Sequence, residues 1–213
     1  MIGDRLVIKD KHRRAAEQIV NRLLPEIQSC SGIYCISLAG ESGSGKSETG
    51  HALAESLSRR GFKTLVLQQD DYFVHPPKSN DSARRRDIGW VGTQEVRLDL
   101  LDEHLFQARS GAESIRKPLV VYAEDRISEE TVSLEGTAVV VAEGTYTTVL
   151  ENVDTRVFID LSYLETLQSR LERAREAQDE FLEKVLAIEH RIISAQKNRA
   201  DLIIDKDYRV RAG

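Results

Sequence analysis

The chain has 213 residues, of which 31% are charged and 40% are hydrophobic, and its formal net charge is −5. This length is enough for one sizeable α/β domain with a hydrophobic core, and the negative net charge argues against a nucleic-acid partner. No apolar run approaches the ~20 residues of a membrane helix, so we expect no membrane partner. The first residues lack the apolar stretch of a secretory signal, and two cysteines are too few for a disulfide framework. We therefore expect a cytoplasmic location.

An amphipathic helix and a strand begin the predicted fold. Residues 10–29 carry apolar side chains on one face and charged side chains on the other, which predicts a helix packed on the core. We interpret residues 1–31 as an N-terminal helical extension. Residues 32–40 are apolar and β-branched, and they predict the first strand.

The next stretch, GESGSGKS at residues 40–47, fits the pattern G-x-x-x-x-G-K-[ST] and is called the phosphate loop below. It lies between a predicted strand and a helical segment at 46–61, the context in which such loops bind nucleotide phosphates rather than serve as flexible Gly/Ser linkers. Lys46 would reach the β- and γ-phosphates, and the Ser47 hydroxyl would bind Mg²⁺. The residues predicted to contact the nucleotide are Gly40, Glu41, Ser42, Gly43, Ser44, Gly45, Lys46, Ser47 and Glu48.

Strands and helices alternate through the rest of the chain. In order, the pattern predicts a strand at 62–69, a long polar loop at 71–93, a helix at 93–111, a hairpin at 117–136, strands at 137–144 and 155–161, a helical region at 163–196 and a strand at 200–205. Such alternation predicts a parallel sheet with helices on both faces. Ligands of these sheets bind beyond the carboxyl ends of the strands, where Asp70 and Glu143 lie in this sequence.

Several later segments resemble, in order and spacing, motifs of the uridine kinase/phosphoribulokinase family of P-loop kinases. They are LQQDDYF (67–73), DLLDEHL (99–105), KPLVVYAEDRISEET (117–131), VVVAEGTY (139–146), FIDLSYLETLQSRLERARE (158–176) and IISAQKNRADLIID (192–205). The resemblance covers residues 32–205. It implies an α/β, three-layer P-loop NTPase fold of the kinase type, with a small β-hairpin and a helical lid, in a single kinase domain over residues 1–213. It also implies ATP and Mg²⁺ as cofactors and a hydroxyl of a small molecule as the phosphate acceptor.

Three acidic residues receive roles from the resemblance and from the chemistry of phosphoryl transfer. Asp70 is the predicted general base, with the alternative that it only orients Mg²⁺-bound water. Glu143 ends a buried strand and is predicted to lie near Mg²⁺, with a solvent-facing strand end as the alternative. Asp71 is predicted to support the loop rather than act as the base.

Arginines of the lid-like helix are candidates for the transferring phosphate. Arg170, Arg173 and Arg175 occur there, and Arg173 is the preferred catalytic one. The alternative is a solvated helix face, because the signs of the charges alternate in this segment. For the arginines at 84–86 we favour a hydrated loop over contact with an anionic acceptor.

The acceptor side departs from uridine kinases. The segment IGWVGTQ (88–94) lacks the aspartate of their Phe-Asp-His-Pro-like stretch, and VVYAEDR (120–126) lacks their Tyr-Asp pair and histidine. Uridine recognition would then need Asp87, Glu124 or Asp125 as a replacement. The side chains predicted to contact the substrate are Tyr72, Trp90, Tyr122, Asp125, Arg126 and Arg170.

The identity of the acceptor therefore stays open. Uridine leads by resemblance, and a sugar phosphate or a pantothenate-like alcohol is the alternative with the same chemistry. A non-catalytic ATP-binding switch is the alternative from another class, but a switch has no need of an acceptor base such as Asp70. Trp90 either stacks on a substrate ring or anchors its own loop. A homo-oligomer is also left open.

Overall fold

The computed structural model describes residues 6–173 and 179–213, except for the side chains of 172 and 173. The helices are α1 (Asp10–Ser29), α2 (Lys46–Ser58), α3 (Pro77–Arg86), α4 (Leu98–Arg109), α5 (Leu167–Arg173) and α6 (Glu180–Ser194). The strands are β1 (Tyr34–Gly40), β2 (Thr64–Gln68), β3 (Ser114–Val121), β4 (Arg126–Ser133), β5 (Val139–Gly144), β6 (Thr155–Ile159), β7 (Leu202–Ile204) and β8 (Val210–Ala212). No helix in these ranges is long and apolar enough to cross a membrane.

Within the described residues, one sheet contains six strands in the order β2-β5-β1-β6-β7-β8. All neighbouring pairs are parallel except β7 and β8, which are antiparallel. The chain places β5 and β6 on opposite sides of β1, so the connections cover both faces of the sheet. This arrangement confirms the predicted fold class, a kinase-type P-loop fold with an additional hairpin formed by β3 and β4.

Alternation along β1 separates two hydrophobic clusters. Ile36 and Leu38 belong to the cluster that includes buried residues of α1 and α2, whereas Cys35 and Ala39 belong to the cluster on the other face. Because successive side chains of a strand point to opposite faces, a continuously apolar strand is what a sheet covered on both sides requires. The register also aligns Glu143 of β5 with Leu38, so the functional residues gather at one edge.

The prediction of a continuous loop over 71–93 was wrong, because residues 77–86 form α3. Asn80 is the one buried residue of this helix, so its sequence lacks an apolar stripe and carries no helical periodicity. Two local features stabilise its start instead: Pro77 occupies the first turn, and the Asp125 carboxylate accepts hydrogen bonds from the backbone N–H groups of Lys78 and Ser79. The strand β8 was also missed, because its three residues, VRA, form no apolar run, unlike the LII of β7.

Candidate active site

The phosphate loop connects β1 to α2 and wraps the start of that helix. Gly43 has a φ of 77°, and a Cβ on it would come within 2.8 Å of Cγ of Arg170. A side chain at this position would therefore strain the backbone and clash with Arg170 of α5. Lys46 begins α2, and its Nζ donates to the backbone oxygen of Glu41 at 3.0 Å. The loop thus leads into a helix N-terminus, the arrangement in which backbone N–H groups can bind an anion.

Asp70 and Glu143 lie next to the phosphate loop at the ends of neighbouring strands. Asp70 occupies the short 3-10 turn directly after β2, and Glu143 lies near the end of β5. Burial and the charge of Asp70 raise the pKa of Glu143 to about 7, against the opposing effects of Lys46 and of hydrogen bonds from Ser47 and Gln68. Glu143 is therefore a buried carboxylate facing the site, and the solvent-facing alternative does not describe it.

These side chains fit a magnesium ion. The Ser47 hydroxyl and the two carboxylates of Asp70 and Glu143 are hard oxygen donors, the kind that Mg²⁺ prefers. Among the described residues there is no cluster of three or more His, Cys, Asp or Glu side chains with metal-site geometry. Mg²⁺ commonly takes one or two carboxylates from a protein and completes its shell with water and substrate phosphates, so a sparse donor set agrees with this ion.

Asp71 faces away from the nucleotide side, toward the hairpin. Its Oδ2 accepts a hydrogen bond from Nζ of Lys117 at 2.7 Å, and its Oδ1 accepts from the backbone N–H of Val120 at 3.0 Å. Both Asp71 and Lys117 are buried. This pairing fastens the segment that carries Asp70 to β3, which is in keeping with the supporting role predicted for Asp71.

A cleft of about 510 Å³, called the acceptor cleft below, opens between Asp70 and two helices. One wall is α3, and the opposite wall is the apolar face of α6 with Leu182, Val185 and Leu186. Tyr122 from the hairpin turn and Arg170 from α5 complete the lining. The cleft borders Asp70, the predicted base, and its volume is within the size range of ordinary ligand pockets.

Arg84 is not hydrated, contrary to our prediction for residues 84–86. Its Nη2 donates to Oε2 of Glu95 at 2.8 Å and to Oε1 of Glu189 at 2.9 Å, and its Nε also bonds to Glu95. Burial acts to lower the pKa of Arg84, but the hydrogen bonds that it donates to Glu95 and the charge of Glu189 outweigh it and raise the pKa. The ion pairs therefore keep this arginine charged inside the wall of the cleft.

The other arginines of α3 are more exposed. Arg85 pairs with Asp81 at 2.8 Å and with Asp179 at 3.0 Å, and its guanidinium lies 4.5 Å from the centre of the Phe181 ring. Arg86 is exposed to solvent. Of the α3 arginines that line the cleft, Arg84 is thus tied to Glu95 and Glu189, and Arg85 is tied to Asp81 and Asp179.

Of the residues predicted to contact the substrate, the structure brings Tyr122 and Arg170 to the acceptor cleft. Tyr72 is instead fully buried in the core, with its hydroxyl 2.9 Å from Nδ1 of His104. Trp90 donates from Nε1 to Oδ1 of Asn80 at 2.9 Å, the geometry of an anchor.

Two further residues with this prediction lie on the hairpin turn. Asp125 caps α3, as described above, and holds a backbone φ of 47°. Arg126 is exposed and pairs with Glu124 at 2.9 Å. Neither is among the residues that line the cleft.

The lid-like helix contributes Arg170, a buried residue whose Nη1 donates to Oγ1 of Thr166 at 2.8 Å and to the backbone oxygen of Tyr163. Its buried Nε has no hydrogen-bond partner among the described residues, so a donor is left over on the side chain that packs against Gly43. The preferred catalytic residue, Arg173, ends α5, and its side chain lies outside the described part of the chain. Arg175 also lies outside it.

Sequence reasoning missed a set of bonds between the phosphate loop and the lid region. The buried carboxylate of Glu41 accepts from the backbone N–H of Tyr163 at 2.6 Å and lies 2.6 Å from Nδ1 of His190. Thr166 adds a hydrogen bond from Oγ1 to the backbone oxygen of Ser42 at 2.7 Å. No local pattern could have revealed these contacts, because the partners lie more than a hundred residues apart.

A family model described as the phosphoribulokinase/uridine kinase family matches residues 35–210. The bifunctional alpha-galactosidase/sucrose kinase AgaSK of Mediterraneibacter gnavus is 32% identical over 186 residues, which cover 81% of this chain but only 20% of that protein. The uridine kinase of Bacillus pumilus is 30% identical over 186 residues, which cover 79% of this chain and 84% of that enzyme.

Solved structures agree on the fold. The phosphoribulokinase from Rhodobacter spheroides superposes with a TM-score of 0.64 at 14% identity, over 83% of this chain and 71% of that one. At this level of identity the likeness concerns the architecture alone.

Proposed function

The chain belongs to the phosphoribulokinase/uridine kinase family of ATP-dependent small-molecule kinases, and we propose that its acceptor is an uncharged molecule with several hydroxyl groups. A carbohydrate and a nucleoside both meet this description. The observation that carries the proposal is the charge pairing of the arginines in the wall of the acceptor cleft.

An anionic acceptor needs a cation in the cleft wall, and the two arginines of α3 there are not available to it, which leaves the solvent-exposed Lys78 as the remaining α3 cation of the lining. Arg84 is held by Glu95 and Glu189, and Arg85 is held by carboxylates of its own helix and of the start of α6. Breaking the buried pairs of Arg84 to admit a phosphate or a carboxylate would leave charges without partners in the wall, at a cost of several kcal/mol. Hydroxyl groups need no such exchange, because a hydroxyl carries no charge and both donates and accepts hydrogen bonds.

Arg170 is assigned to the nucleotide instead. It lies against Gly43 of the phosphate loop and also lines the acceptor cleft, so it borders both. A guanidinium at that boundary spreads the negative charge of a phosphoryl group in transfer.

The proposed reaction follows from the placement of Asp70. An acceptor hydroxyl in the cleft gives its proton to the Asp70 carboxylate while its oxygen forms a bond to the γ-phosphorus, and the bond between that phosphorus and the β–γ bridging oxygen breaks to release ADP. Lys46 holds the β- and γ-phosphates during the transfer. A bound Mg²⁺ would be held by Ser47 and Glu143, beside Asp70, and would supply positive charge to the phosphates.

The names of the two relatives at 30% identity or more fit an uncharged acceptor without deciding between its forms, whereas the phosphoribulokinase, which is similar in fold alone, is named for a sugar phosphate. One is a sucrose kinase and the other a uridine kinase by name, and sucrose and uridine are both neutral polyhydroxyl compounds. Uridine remains the leading expectation from the sequence. The departures at 88–94 and 120–126 favour a pocket that differs from that of uridine kinases, which brings carbohydrates forward as the competing class.

A turnover assay on the purified protein tests the proposal. ADP release is measured with ATP and Mg²⁺ against neutral acceptors (sucrose, fructose, uridine) and against anionic ones (ribulose 5-phosphate, pantothenate). We expect turnover with at least one neutral acceptor and none with the anionic compounds above the rate without acceptor. Preferential phosphorylation of an anionic compound would contradict the neutral-acceptor assignment while leaving the kinase chemistry in place.

A further inference from the structure

A buried tyrosine contacts the phosphate loop through a backbone oxygen of the loop. The hydroxyl of Tyr208 donates a hydrogen bond to the backbone oxygen of Ser44 at 2.6 Å, and the residue is 4% exposed. Tyr208 has a backbone φ of 58°, a conformation that residues other than glycine rarely adopt. The turn between β7 and β8 therefore has an unfavourable backbone geometry at Tyr208, and this geometry accompanies the contact between the tyrosine and the phosphate loop.

Both ends of the described chain hold this tyrosine in place. The ring of His12 on α1 packs against it with the centroids 5.2 Å apart, and Nζ of Lys11 lies 4.3 Å from the centre of the tyrosine ring. The backbone oxygen of Tyr208 accepts from Nε2 of Gln18 at 3.3 Å. At the turn itself, Oδ1 of Asp205 accepts from the backbone N–H of Arg209 at 2.9 Å.

The bond to Ser44 orients a peptide unit of the phosphate loop. The oxygen of Ser44 and the N–H of Gly45 belong to the same peptide group, and in a trans peptide they point in opposite directions. The described chain contains no cis peptide bond. Because Tyr208 holds the oxygen at the back of the loop, the N–H of Gly45 is directed to the opposite side, where such loops hold the phosphates of a nucleotide.

The same contact explains part of the glycine requirement at position 45. A Cβ on Gly45 would come 2.6 Å from the hydroxyl oxygen of Tyr208 and 2.9 Å from Nε2 of His12. The backbone φ of Gly45 is 87°, so the position excludes side chains for two reasons. Two elements beyond the motif, α1 and the C-terminal turn, thus pack directly on it.

We propose that Tyr208 is a positioning residue for nucleotide binding, which acts by holding the Ser44–Gly45 peptide in its phosphate-facing orientation. The inference rests on nucleotide binding by the phosphate loop and is independent of the identity of the acceptor. By this proposal, α1 and the hairpin formed by β7 and β8 contribute to ATP binding, although both lie outside the loop motif.

The test is Tyr208→Phe, which keeps the ring and removes the hydrogen bond. We expect the dissociation constant for ADP, measured by calorimetry without any acceptor, to rise about fivefold, as for the loss of one hydrogen bond. The KM for ATP should rise by a similar factor, whereas the KM for the acceptor should not change.

The matched control is Tyr34→Phe. Tyr34 is also buried, and its hydroxyl is 2.6 Å from Oγ1 of Thr155 and donates to Oε2 of Glu26 at 2.7 Å, in a network that does not include the phosphate loop. Both variants lose a buried hydroxyl, so both should lose stability in urea. A Tyr208→Phe protein that binds ADP as tightly as Tyr34→Phe would overturn the inference, and it would leave the proposed acceptor class unaffected.

Discussion

Glu189 and His190 are consecutive residues of α6, yet their side chains bond to different halves of the site. Oε1 of Glu189 accepts from Nη2 of Arg84 in the wall of the acceptor cleft at 2.9 Å. Nδ1 of His190 lies 2.6 Å from Oε1 of Glu41 in the phosphate loop. A single turn of helix therefore connects the nucleotide side to the acceptor side, so α6 cannot shift without disturbing both.

Replacing His190 should weaken nucleotide binding. In His190→Ala, the buried carboxylate of Glu41 keeps its bond from Tyr163 but loses its partner on α6. Hydrogen bonds to charged groups contribute ~1.5–3 kcal/mol, and the His190 side chain is 40% exposed, so the lower end of this range, equivalent to about tenfold, is the largest rise that we expect in the KM for ATP. The control is Arg191→Ala, an exposed neighbour on the same helix, which should leave this KM unchanged.

Asp70→Asn should lower kcat far more than it weakens ATP binding. Asparagine keeps the shape of the side chain but cannot accept the proton of the acceptor hydroxyl, and a positioned base typically contributes ~10² to 10⁴-fold. Steady-state kinetics with saturating ATP, combined with a direct ADP-binding measurement, separate the two effects. A variant that loses Mg²⁺-ATP affinity but keeps its saturated rate would identify Asp70 as a metal-site residue and not as the base.

Arg84→Ala should destabilise the fold strongly. Removing this guanidinium leaves the carboxylates of Glu95 and Glu189 buried without their cation, and breaking such a buried pair costs ~3–5 kcal/mol. Urea unfolding compares it with Arg86→Ala, an exposed residue two positions along α3 whose loss should cost about 0.5 kcal/mol or less. Equal unfolding midpoints for the two variants would show that the Arg84 pairs add nothing to stability.

The two cysteines should differ in reactivity toward thiol reagents. Burial, and after it the charge of Asp154, raise the pKa of the Cys35 thiol to about 12, so at pH 8 almost none of it is in the reactive thiolate form. Cys30 is partly exposed. Titration with a disulfide reagent at pH 8 should modify Cys30 in the folded protein and Cys35 only after unfolding in urea, and fast modification of folded Cys30→Ser would contradict this.

Local sequence patterns predicted the fold class and the elements that carry the phosphate loop. The glycine spacing at 40–47 and the apolar runs of β1 and β5 predict a strand, a turn and a helix start, because each depends on residues adjacent in the chain. Asp70 and Glu143 could be placed together in advance, since the carboxyl ends of parallel strands meet at one edge of the sheet.

The acceptor side was decided by tertiary contacts. The helix α3 has no apolar stripe and is capped by Asp125 from a turn 47 residues away, so its own sequence reads as a polar loop. From its sequence Arg84 is expected to be hydrated, yet its side chain is largely withdrawn from solvent and paired with Glu95 and with Glu189, the latter from 105 residues along the chain. The hydroxyl of Tyr208 reaches Ser44 across 164 residues. Periodicity and spacing indicate which face of an element is buried. The partner of a buried charge or of a backbone oxygen depends instead on how distant elements pack, and this packing leaves no pattern in the local sequence.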